Sequence, residues 1–263
     1  MMNEEESIIW NRQHAYAESL GSKREAFCKD FIEKKSGIVR EMEEGQRKDA
    51  GSVHASITCK KHCEVSSCCM EYIESSIQEC EAIIYFLYNH PESLSRFLQN
   101  FPRWRKKVSA NGDLHNEVDK FYKALFSPDV KIKHKSVLHA MDAQYFDLHI
   151  KYLDFQIPCP FLSDNECIIY DVRPFACVGS YSTSPVKLCI ADARILPPVN
   201  RTELPPEAGD SSFYFGDLGA QPPLFMPLNV YEILFKGYKH VADVMGLKQL
   251  EKEAKTLNLI LDV

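Results

Sequence analysis

Apolar residues recur along this chain mostly at intervals of three and four, the period of a helix with one buried face. Val118, Phe121, Tyr122 and Leu125 form one such stripe. Leu138, Met141, Tyr145, Leu148 and Tyr152 form a longer one that stops before Pro158. Val230, Ile233, Leu234, Val241 and Val244 repeat the pattern further on, with Gly246 as a stop signal. Two earlier stretches, about 5–20 and 22–43, also read as helices, and the polar run "EEGQRKDAG" (43–51) reads as a break after them. A further pair covers about 70–89 and 92–107, divided at "NHPES", where Pro91 suits a first helical position.

The texture changes between 185 and 227. Eight of the fourteen prolines lie there, which excludes a regular helix and predicts an ordered loop with short extended pieces. "SSFYFGD" is its best strand candidate. The expected fold is therefore mainly α, a helical domain with irregular cysteine-bearing loops around a metal site and little β structure. It is read as a single domain over 1–263, with N-terminal helices over about 1–50 and a cysteine-cluster region over about 55–190.

Charge narrows the partners. The formal net charge of −6 lacks the basic excess of a phosphate-backbone binder, so nucleic acid is not expected as a partner. The basic clusters "RWRKK" (103–107) and "KIKHK" (131–135) read as solvated helix faces. "MMNEEESIIW" lacks the basic-then-apolar order of a secretory signal, and the longest apolar run, "AIIYFLY" (82–88), is too short to span a bilayer. A cytoplasmic protein with no membrane partner is the expectation, and a reducing compartment turns its ten cysteines toward metal or catalytic roles.

Cys28 and Cys80 sit inside helical patterns and read as core residues. The other eight form two groups: Cys59, Cys63, Cys68 and Cys69, then Cys159, Cys167, Cys177 and Cys189. A disulfide between neighbours such as Cys68 and Cys69 closes almost no loop. A structural metal contributes about 10–16 kcal/mol of apparent binding energy, enough to offset the ordering of long loops. The intervals are too wide and uneven for paired zinc knuckles, and an iron–sulfur cluster tolerates them better. An iron–sulfur cluster is therefore the preferred cofactor, with zinc as the alternative. Cys68 and Cys69 diverge in any regular backbone, by about 100° in a helix, so either one ligates and the other packs, or they face different parts of a cluster or two sites. "MEYIESSI" follows them and predicts a helix N-terminus there, whose dipole would favour thiolate. His54 and His62 are expected to be exposed. No P-loop, GxGxxG, GxSxG or His-Glu-x-x-His string occurs.

The most informative string is "CPFLSDNECIIYDVRPFACVGSY", residues 159–181. With the Cys-Cys run before it, it resembles the bacterial cysteine-cluster family described as zinc- or iron-chelating, whose members carry a Cys-x2-Cys-x2-Cys-Cys-like run, "CPFL", "C-x-IY" and "RP-x-x-C" with an aromatic shortly after. Cys159-Pro160-Phe161-Leu162, Cys167-Ile168-Ile169-Tyr170 and Arg173-Pro174-Phe175-Ala176-Cys177, with Tyr181 beyond, match that pattern; the first run departs from it, with longer intervals. The resemblance implies a metal site built from the eight cysteines. It also touches a distant branch, the flagellin lysine N-methylases, associated with an iron–sulfur cluster and S-adenosylmethionine-dependent methyl transfer; the metal site is carried over and the reaction is not. Tyr170, Arg173 and Tyr181 are expected to stand behind the ligands, and Tyr170, Asp171 and Arg173 either to tune the cluster, to bind an anionic substrate, or to hold the loop. The expected function is metal binding by two converging cysteine segments. A protein-modifying enzyme on the same framework and a thiol redox sensor are the alternatives, with an unidentified protein or small molecule as partner.

Overall fold

The computed structural model describes residues 21–58, 67–111, 147–185, 200–201 and 224–236. Helices dominate them. The long helix α1 spans Gly21–Ser52, followed by a 3-10 turn at Ser67–Met70, strand β1 (Glu74–Ser75), α2 (Ile77–Asn89) and α3 (Pro91–Ala110). Residues 147–154 are helical, and we label them α4. Then come β2 (Leu162–Ser163), β3 (Glu166–Cys167), a 3-10 turn at Tyr170–Val172, the single-turn helix α5 (Phe175–Val178), β4 (Ser180–Tyr181), β5 (Asn200–Arg201), β6 (Leu224–Phe225) and α6 (Met226–Lys236). The strands form three two-stranded antiparallel ladders, β1 with β6, β2 with β3 and β4 with β5. The mainly α expectation holds.

Two boundaries differ from those expected. The polar run 43–51 does not break the first helix, which continues to Ser52. Cys28, Phe31, Lys35, Met42, Gln46 and Ala50 are all buried, at spacings that keep one face of α1 on the protein. Tertiary packing of that face outweighs the roughly 0.5–1 kcal/mol that a helical glycine such as Gly45 costs. The second difference lies at residue 70, where no α-helix begins. Residues 74–75 are extended and pair with β6, and α2 starts at Ile77. Its start is fixed by Ser76, whose hydroxyl accepts from the Glu79 N–H at 3.2 Å while the Glu79 carboxylate accepts from the Ser76 N–H at 3.1 Å.

The core lies among α2, α3, α4 and α6 and is largely aromatic. Phe101 stacks on Tyr231 at 3.9 Å, and Tyr72 stacks on Phe225 at 3.9 Å. Trp104 donates its indole N–H to the Tyr152 hydroxyl at 3.2 Å, so this buried polar pair is satisfied. "RWRKK" lies on α3 with Trp104 buried and its basic side chains exposed, a solvated face around one core residue. The stripes at 118–125 and 138–145, Val241 and Val244, the helix read over 5–20, "KIKHK" and "SSFYFGD" lie outside the described residues.

A smaller apolar cluster joins α1 to the cysteine loops through Phe31, Met42, Ala82, Phe175 and Val178. Beside it, Lys35 and Glu79 form an ion pair at 2.9 Å with both side chains almost fully buried. Glu79 also accepts the Phe175 N–H at 2.8 Å, and Lys35 stands over the Phe175 ring. This pair fastens α1, α2 and α5 to one another.

Candidate metal centre

The cysteine segments reach one place by separate routes. Phe161 stacks face to face on Phe97 of α3 at 4.4 Å, and Asn100 of α3 donates to the carbonyls of Pro160 and Leu162, each at 3.2 Å. These contacts hold "CPFL" against the core. The chain then reverses in a tight hairpin, Ser163 opposite Glu166 and Leu162 opposite Cys167. Its two turn residues, Asp164 and Asn165, have φ of 52° and 62°, the pair of left-handed conformations that a two-residue hairpin loop requires and that Asp and Asn tolerate best. The hairpin brings Cys167 back beside Cys159. The Asp-Asn dipeptide was the sequence signal for it, and periodicity alone did not register it.

"RPFAC" folds into α5, anchored by Phe175 on Glu79 and by Gln46 of α1, which donates to the Val178 carbonyl at 2.9 Å. Cys177 is thereby presented from the third segment. Cys68 and Cys69 come from the 3-10 turn, which the Cys159 N–H joins through a 2.7 Å hydrogen bond to the Cys69 carbonyl. All five thiols, Cys68, Cys69, Cys159, Cys167 and Cys177, line one cavity of about 560 Å³. Cys59, Cys63 and Cys189 lie outside the described residues. Thr58, just before Cys59, is tied to residues 182–184, its N–H and hydroxyl meeting the Ser182 carbonyl at 2.8 and 3.0 Å.

Cys68 and Cys69, expected to diverge, both line this cavity and share a hydrogen bond between their side chains. The helix-dipole account of their acidity also fails, since α2 begins only at Ile77. A hydrogen bond from Cys69 holds Cys68 below the ordinary thiol range. The same bond, with burial, pushes Cys69 well above it. Burial raises Cys159, and raises Cys167 to about 11. Cys177 is raised by burial and then by the charges of Cys167, Cys159 and Cys68. Cys69, Cys159, Cys167 and Cys177 thus resist ionising while Cys68 does not, and a cation among them would favour the thiolate form of all five. Among the described residues, no three His, Cys, Asp or Glu side chains stand in position to hold one metal ion. A single zinc, at about 2.3 Å from each sulfur, draws its thiolates to about 3.8 Å of one another, whereas a polynuclear cluster bridges a wider set.

Cys28 and Cys80 are fully buried away from this cavity, as core residues. Cys80 lies 3.0 Å from the Ser75 hydroxyl, and Cys28 donates to Glu81 at 3.6 Å. His54 is exposed, and His62 lies outside the described residues.

Tyr170, Arg173 and Tyr181 all line the cavity. The Arg173 guanidinium lies 3.8 Å from the centre of the Tyr170 ring, and its Nη2 donates to Glu43 of α1 at 3.0 Å. Asp171 is exposed and does not line the cavity. Sequence reasoning missed the contribution of α1, whose Glu43, Gln46 and Ala50 form part of the wall. Their spacing of three and four was the available signal, hidden by the polar character of the run.

A scan against protein-family models and searches of curated proteins and of solved structures returned no match. No helix among the described residues is long and apolar enough to cross a membrane.

Proposed function

We propose that the protein is a metal-binding cysteine-cluster protein in which the two cysteine segments hold an iron–sulfur cluster, with a zinc site as the alternative cofactor. One observation carries this reading: five thiols from three separate backbone segments line a single cavity. Cys28 and Cys80, the buried core cysteines, do not line this cavity. Five thiols facing one space, four of them made harder to ionise by burial and by their neighbours, form a donor set suited to a positively charged group that takes thiolate ligands. The wide, uneven intervals between the cysteines along the chain favour a cluster over paired zinc knuckles. A bound cluster supplies redox or Lewis-acid chemistry. The chain's own residues contribute the thiolates, the rigid hairpin and α5 that orient them, and the Arg173 cation beside them.

Anaerobic purification followed by iron, zinc and acid-labile sulfide analysis and an absorption spectrum tests the proposal. Iron and sulfide in matching amounts with visible charge-transfer bands are expected. A colourless protein with stoichiometric zinc would overturn the iron–sulfur preference. A folded, metal-free protein whose cysteines all react with an alkylating agent would overturn the metal reading itself.

A further inference from the structure

The cavity exceeds what thiol ligation needs. Its 560 Å³ lies within the range of about 300–1,000 Å³ typical of small-molecule sites. Much of its wall is apolar, including Ile57, Ile73, Phe161, Ile169 and Met226. A site that only buried a metal would have these side chains closed over it.

Into this apolar space one guanidinium is set with its donors under-used. Arg173 has five N–H groups, and its hydrogen bond to a carboxylate is one Nη2 contact to Glu43 rather than a two-bond fork. Its Nε is buried with no hydrogen-bond partner. Burial of an incompletely paired guanidinium is costly unless another acceptor arrives. The Tyr170 ring, 3.8 Å from the guanidinium centre, and a side-chain hydrogen bond between the two residues hold the group in place while leaving Nε unpaired. Glu43, two-thirds covered, holds the place that such an acceptor would take. Arg47, one turn further along α1, adds a second cation to the cavity lining.

We infer that the cavity binds, beside the thiols, a small organic anion, a carboxylate or phosphate carried on an apolar body, which displaces Glu43 and takes the Arg173 fork. The inference deepens the metal-site reading, since it assigns a ligand class to the same cavity, but the geometry that carries it is that of Arg173, Tyr170 and Glu43. The apolar wall selects the body and the guanidinium selects the charge.

The test uses the anaerobically purified protein, with phenylacetate and phenyl phosphate as probes and phenylacetamide, acetate and inorganic phosphate as controls, followed by calorimetry or ligand-observed NMR. At least one aromatic anion is expected to bind at least about tenfold more tightly than the neutral amide and the small anions, a ratio equal to one well-made charged contact. The stronger of the two probes distinguishes carboxylate from phosphate. Arg173→Gln is expected to remove the preference for the anion. Glu43→Gln, which deletes the competing internal carboxylate, is expected to tighten anion binding, an effect that a merely structural role for the pair would not produce. Equal binding of anion and amide, unchanged binding in Arg173→Gln, weaker binding in Glu43→Gln, or no binding of any probe would each overturn the inference. Metal content measured on the same samples separates the two readings: anion binding that fails while metal is retained refutes only the anion site.

Discussion

The backbone N–H of Cys159 donates to the carbonyl of Cys69 across 2.7 Å. This one hydrogen bond joins two cysteine segments that are separated in sequence by β1, α2, α3 and α4. It fixes backbone to backbone, so the two segments stay in register whatever the state of their thiols. Neighbouring thiols are thus brought together by main-chain bonding, by the hairpin and by α5.

The division between cavity thiols and core thiols gives the first prediction. Cys159→Ser, Cys167→Ser and Cys177→Ser each lose most of the bound metal, because a hydroxyl is a poor replacement for a thiolate ligand. Cys28→Ala and Cys80→Ala keep their metal. Metal analysis of the five variants checks this, and full metal retention in all three serine variants would refute the ligand assignment.

The buried Lys35–Glu79 pair gives the second. Glu79→Gln keeps the shape of the side chain but leaves the Lys35 ammonium buried without a counter-ion, at an expected cost of about 3–5 kcal/mol. Adding Lys35→Met restores part of that loss, since the unpaired charge is then gone. Urea denaturation of the two single variants and the double variant measures the coupling. Additive losses would show that the pair does not act as a unit.

Continuity of α1 gives a third. A Cβ at Gly45 meets no atom within 4 Å, so nothing in the fold requires glycine there. Gly45→Ala therefore raises stability by roughly 0.5–1 kcal/mol through helix propensity. A loss of stability in the same denaturation experiment would mean that 43–51 is not helical.

The fourth concerns alkaline pH. Burial pushes the Cys80 thiol from its ordinary value of 9.0 to about 12. Below pH 9 both the folded and unfolded chains keep this proton, and its contribution to stability is complete. Between about pH 9 and 12 the unfolded chain ionises first, and stability falls by about 1.4 kcal/mol per pH unit from this group. Denaturation midpoints measured from pH 8 upward should decline, and Cys80→Ala should make the decline less steep by about one proton. An unchanged slope in that variant would show that Cys80 ionises equally in both states.

Elements whose signal is local were legible in the order of residues. Helical periodicity placed α3 to within a few residues, the end of α2 and the described part of α6, because a helix buries one face at every third or fourth position whatever it packs against. Burial of Cys28 and Cys80 followed from the same stripes. The motif 159–181 marked where the cavity thiols and Arg173 would lie. The continuation of α1 through its polar stretch came from long-range packing, since Glu43 and Gln46 bond partners at Arg173 and Val178. Tertiary structure also brought Cys68 and Cys69 to one cavity with Cys159, Cys167 and Cys177, through the hydrogen bond between the Cys159 N–H and the Cys69 carbonyl. Such contacts join residues far apart in the chain, and no local period encodes them.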